Sequence, residues 1–122
     1  NIPGHARNFI QGAQEVYFTA GDALWRTDGT EEGTFQLRTG LSNANRLTSG
    51  SEYARMHGGR LYFVDRDASE LWASDGSPEG TVLVFTASSI RILDGNEQTL
   101  FFCAGTPETG VELYGTTNGD PP

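Results

Sequence analysis

Asp22, Asp28, Asp65, Asp67 and Asp75 all stand beside glycine-containing turns or other acids. Carboxylates on flexible loops are the donors a calcium ion takes, in sets of about six to eight oxygens. None of these residues sits in the dense Asp-x-Asp-x-Asp-Gly spacing of a dedicated calcium loop. Asp65-Arg66-Asp67 comes nearest, and its central arginine opposes a cation. Turn-bracing is therefore the preferred role of Asp28 and Asp75, with calcium as the alternative; the expectation is no metal and no cofactor. His5 and His57 lie in no nucleophile elbow, and the clustered His and Cys that zinc needs are absent. Paired carboxylates for glycoside hydrolysis meet only in three dimensions, and Glu52, Asp65, Asp67 and Glu108 fall on candidate loops. Most such acids are simply solvated, so the chain is expected not to be an enzyme.

The aspartates belong to a phrase that repeats. Val16-Tyr17-Phe18 leads to Leu24-Trp25-Arg26-Thr27-Asp28-Gly29-Thr30-Glu31-Glu32-Gly33-Thr34. Leu61-Tyr62-Phe63 leads to Glu70-Leu71-Trp72-Ala73-Ser74-Asp75-Gly76-Ser77-Pro78-Glu79-Gly80-Thr81. A worn copy runs from Leu100-Phe101-Phe102 to Glu112-Leu113-Tyr114-Gly115-Thr116-Thr117-Asn118-Gly119. Trp25 and Trp72 are 47 residues apart, and Trp72 and Tyr114 are 42 apart. Such a period, made of short strands and turns, signals a propeller or an array.

The elements that must hold these residues are strands. They are expected at 8–11, 15–20, 23–27 and 34–39, then at 53–57, 60–65, 70–74 and 81–86, then at 89–93, 99–104 and 111–116. No window has a helical period. The second strand of each unit is apolar on both faces, as a strand flanked by neighbouring sheets should be. The fold class is all-β: a β-propeller segment of four-stranded antiparallel blades, about two and three-quarter blades in number. A plain sandwich competes, but it has no need of self-similar hairpins. Residues 1–122 form one repeat region, with blade 1 at 8–40, blade 2 at 52–87 and an incomplete blade 3 at 88–120.

In the hairpin between third and fourth strands, the aspartate can accept from backbone amides ahead of it, and glycine supplies angles closed to other residues. Asp28, Gly29, Thr30 and Gly33 form the first clasp, Asp75, Gly76, Ser77 and Gly80 the second, and Asn118 and Gly119 the third. Trp25, Trp72, Tyr114, Phe18, Phe63 and Phe102 are the expected blade core. Loops on a rigid scaffold are where binding is usually built. Arg46, Tyr53, Asp65, Arg66, Asp67 and Glu108 mark the possible binding face. The 40–52 segment there is either part of that face or a flexible connection.

The phrase resembles the bacterial repeat written Glu-Leu-Trp-x-x-Asp-Gly-Thr, most closely at Glu70-Leu71-Trp72 with Asp75-Gly76 and at Leu24-Trp25 with Asp28-Gly29-Thr30. The chain departs from it at Ala23, Ser77, Tyr114 and Asn118. The resemblance implies large secreted or surface-attached bacterial proteins built of many repeats, with no established chemistry. A structural motif tolerates such departures better than a strict ligand set does.

The chain carries 16 Asp and Glu against 8 Lys and Arg, a net charge of −8. That balance disfavours nucleic acid and anionic membrane surfaces, and no apolar run is long enough to span a bilayer. Cys103 has no second cysteine to pair with. Three blades cannot close a ring, so the partners expected are other copies of the chain or the remainder of a longer one. The third hairpin breaks off short, which favours the longer chain. The function expected is a non-catalytic extracellular scaffold or protein-interaction module. The alternatives are a repeat lectin holding glycans between blades and a segment of a surface hydrolase.

Overall fold

The computed structural model describes residues 6–42, 44, 47–48, 50–65, 69–106, 108, 110–117 and 120. Among them are eleven β-strands and no α-helix. They form three antiparallel meanders. Sheet 1 contains β1 (Ala6–Gln11), β2 (Val16–Ala20), β3 (Ala23–Thr27) and β4 (Phe35–Arg38). Sheet 2 contains β5 (Ala54–His57), β6 (Arg60–Asp65), β7 (Glu70–Ser74) and β8 (Thr81–Thr86). Sheet 3 contains β9 (Ser89–Gly95), β10 (Leu100–Thr106) and β11 (Gly110–Thr116). The limits of β3, β6, β7 and β8 are those expected from the sequence. β4 is shorter, because Thr34 is drawn into the preceding turn, where its hydroxyl donates to Thr30 O.

Register makes the three sheets comparable residue by residue. Phe18 faces Trp25, Phe63 faces Trp72, and Phe102 faces Tyr114. Each pair is stacked, with ring centroids 6.2, 6.3 and 5.7 Å apart. Aromatic cross-strand pairs of this kind are worth about 0.5–1.5 kcal/mol beyond their area. Sheets 1 and 2 carry the same irregularity between third and fourth strands, at Leu24/Trp25 and at Leu71/Trp72.

The sheets stack in chain order. One core joins Tyr17, Leu24 and Leu37 of sheet 1 to Leu61, Phe63 and Ala54 of sheet 2. A second joins Tyr62, Val64, Leu71 and Val84 of sheet 2 to Ile90, Ile92, Leu100 and Phe102 of sheet 3. The phenylalanine face of each sheet thus meets the opposite face of the sheet before it. Strand β6, in the middle, is buried from Leu61 to Asp65. This explains its lack of alternation, since both of its faces are covered.

The linker 39–53 differs from the sequence reading of a flexible connection. Leu41 and Leu47 are buried in the first core, and the Leu41 amide donates to Asp22 O at 2.8 Å. Asn8 holds a positive φ of 59° at an irregularity in β1, and its Nδ2 reaches Ala44 O at 3.0 Å. Leu41 and Leu47 thus anchor their parts of the linker in the first core.

The stack is open at both ends. Leu24, Leu71 and Leu113 occupy one register position, facing Thr19, Val64 and Cys103. Leu24 and Leu71 are 1% and 0% exposed under the following sheet, whereas Leu113 is 64% exposed. Val111 beside it is also 64% exposed, and Phe9 on the first sheet is 52% exposed. Truncating equivalent residues should therefore give unequal results. Leu71→Ala is expected to cost about 2–5 kcal/mol and Leu113→Ala less than about 0.5 kcal/mol, measured by urea unfolding of the monomeric chain.

Candidate functional site

The repeated hairpin is built twice with the same bonds. Asp28 Oδ1 accepts from the Thr30 amide at 2.9 Å and from the Thr30 hydroxyl at 2.6 Å. Asp75 Oδ1 accepts from the Ser77 amide at 2.9 Å and the Ser77 hydroxyl at 2.7 Å. Each hydroxyl in turn accepts from a glycine amide, Gly33 or Gly80, at 2.9 Å. Thr34 and Thr81 donate back to the carbonyls of Thr30 and Ser77. Thr27 and Ser74 close the base of each turn against those same threonine hydroxyls. Gly29 and Gly76 sit at φ +94° and +96°, a region that favours glycine. A Cβ on Gly33 or Gly80 would overlap the aspartate carboxylate itself. The Ser77 substitution is thus neutral to the geometry, because only the hydroxyl is used.

These bonds favour the ionised aspartate. Hydrogen bonds from Thr30 hold the Asp28 carboxyl below its ordinary value, and those from Ser77 do the same for Asp75. Among the described residues no three of His, Cys, Asp and Glu converge. Asn118 and Gly119 lie outside the described residues. Thr116 faces Leu100 as Ser74 faces Leu61, so Thr117 follows at the place Asp75 holds in the second turn.

Above the clasp, β7 and β11 each put a carboxylate and an aromatic ring on one face, two residues apart. Trp72 Nε1 donates to Glu70 Oε1 at 3.0 Å, and Tyr114 OH donates to Glu112 Oε2 at 3.0 Å. In sheet 1 the equivalent of that glutamate is Ala23. The half-buried Trp72 ring also receives the Arg38 guanidinium of sheet 1, 3.7 Å from its centroid. Arg38 donates to Asp65 Oδ2 at 3.3 Å, and Ser42 donates to Asp65 Oδ1 through its amide and hydroxyl. In the next junction Phe85 takes the place of Arg38 and packs 4.8 Å from Tyr114.

The candidate binding face is only partly assembled by this arrangement. Asp65, read as a loop acid, is 2% exposed, and its carboxylate joins sheets 1 and 2. Tyr53 is half-buried between the two cores. Glu108 is exposed in the turn after β10. Arg46, Arg66 and Asp67, together with His5, lie outside the described residues. Sequence reasoning passed over Arg38 and Ser42, and named Glu70 only as part of the repeated phrase. Only the spacing of Glu70 and Trp72 signalled their shared strand face.

The lower end of the first junction holds a second network. Arg26 Nη1 lies 3.7 Å from Glu15 Oε2 and donates to Gly76 O at 3.4 Å. Its Nε donates to Gly33 O. The buried Tyr17 hydroxyl beside them has no hydrogen-bond partner among the described residues. Burial first, and then the Glu15 charge, push its pKa up to about 12.

No family model matches the chain, and comparisons with curated proteins and with solved structures return no match either.

Two measurements test this account. Gly80→Ala and Asp75→Ala should both lower Tm. The Asp75→Ala deficit should be full above the ordinary carboxyl value of 3.8 and shrink as pH falls through the lowered native value. Arg38→Ala removes the guanidinium from Asp65 and from the Trp72 ring and should cost at least about 1 kcal/mol in urea unfolding.

Proposed function

We propose that this chain is a non-catalytic scaffold or interaction module, a segment of a β-propeller completed by further sheets of the same kind. The observation that carries the reading is the contrast between Leu24 and Leu71, which are covered, and Leu113, which is open at the same register position. A following sheet would bury Leu113 and Val111 as sheet 2 buries Leu24. A preceding sheet would cover Phe9 and Trp25 as sheet 1 covers Trp72. Exposed apolar faces of this kind mark protein contacts.

A ring or array follows when the same face-to-face step continues at both ends. Head-to-tail interfaces between copies close into rings or run on as open assemblies. The step is available from another copy or from flanking repeats of a longer chain. A secreted or surface location rests on the repeat resemblance alone. The aspartates of the hairpins act in this reading as braces, because their oxygens are already engaged by turn hydroxyls and amides.

Sedimentation and native mass spectrometry over a concentration series test the shared-ring form. Association to multiples of 13.2 kDa, weakened by Leu113→Glu and by Phe9→Glu, is the expected result. A folded monomer at every concentration, indifferent to both substitutions, would overturn assembly from copies.

A further inference from the structure

The two junctions are built to one plan but differ at several positions, and one pair lies at their lower end. In the first, Arg26 faces Tyr17, and Glu15 precedes the strand pair. In the second, Ala73 faces Tyr62, and Arg60 stands where Glu15 stood. Arg26 fills the first junction with its side chain and finds its counter-charge in Glu15. Ala73 ends at a methyl group. Beside the second junction lies a cavity of about 340 Å³, lined by His57, Arg60, Tyr62, Glu97, Gln98 and Thr117 among others. Cavities of this size fall at the small end of ligand sites.

The lining is polar and has a definite charge pattern. Arg60 is half-buried and lies within electrostatic reach of the Asp75 carboxylate of the clasp. His57 Nε2 donates to Asn96 O at 2.7 Å, which fixes the ring. Gly95 lies against that ring so closely that a Cβ there would come within 2.7 Å of it. Glu97 is the acid of the lining.

The geometry points to this cavity as a binding site for a small hydroxylated monocarboxylate, the chemistry of a sugar acid. Arg60 takes the carboxylate as a charge-assisted partner. Gln98 and Thr117 offer an amide and a hydroxyl to ligand hydroxyls. A neutral sugar leaves Arg60 without its anion, and a dianion meets Glu97. At the first junction Arg26 stands at the position that Ala73 holds here, and it pairs with Glu15. This site does not depend on the ring being complete, since both of its walls belong to this chain.

Glucuronate is the probe, titrated into the intact chain by calorimetry, with glucose as the neutral control. Saturable binding of glucuronate, with glucose at least about tenfold weaker, is expected. Arg60→Gln should weaken glucuronate about tenfold. Unchanged thermal melting of Arg60→Gln shows that the loss is not unfolding. No saturation by about 10 mM, equal binding of glucose, or binding untouched by Arg60→Gln would each overturn the assignment.

Discussion

Burial of one sheet face against the next is the interaction on which the rest of this structure depends. A lone four-stranded meander with two apolar faces cannot keep both from water, and hydrophobic burial is the largest favourable contribution to folding. Here the covered leucines, Leu24 and Leu71, and the stacked pairs Phe18–Trp25 and Phe63–Trp72 all sit at sheet faces. The hydrogen-bonded ladders make each sheet, but stacking decides that there is a core.

Polar groups then fix how the sheets meet. Asp65 and Arg38 at one end, and Glu15 and Arg26 at the other, bracket the first junction. Cation–π contact between Arg38 and Trp72, worth about 2 kcal/mol when desolvated, links the last strand of sheet 1 to the third strand of sheet 2. At the second junction Phe85 and Tyr114 make the corresponding contact without charge. The position is used in both junctions while its chemistry changes. The exchange of Arg26 for Ala73 follows the same rule, with a charged side chain at one junction and a methyl group at the other.

The clasp is a different kind of device. It is local: Asp, hydroxyl and glycine satisfy one another within a single turn, and the flanking strands leave in antiparallel register. That locality is why the motif survives Thr30 becoming Ser77. It is also why the motif was readable from the sequence, since every group it needs lies within a few residues. The binding face was less legible. Asp65 looks like a loop acid in sequence, and its role appears only when Ser42 and Arg38, 23 and 27 residues away, reach its two oxygens.

The sequence by itself determined the strands, the two clasps and the aromatic pairs, because alternation, turn chemistry and a fixed spacing are local properties of the chain. Even the similarity of Leu24, Leu71 and Leu113 was visible in it. Tertiary structure alone decided which of those leucines is covered, that Leu41 and Leu47 pack into the first core, and that His57, Arg60, Glu97 and Thr117 line one cavity. Each of these depends on what lies across a junction from the residue. Contacts between faces are set by stacking in space, and a single strand carries no record of what packs against it.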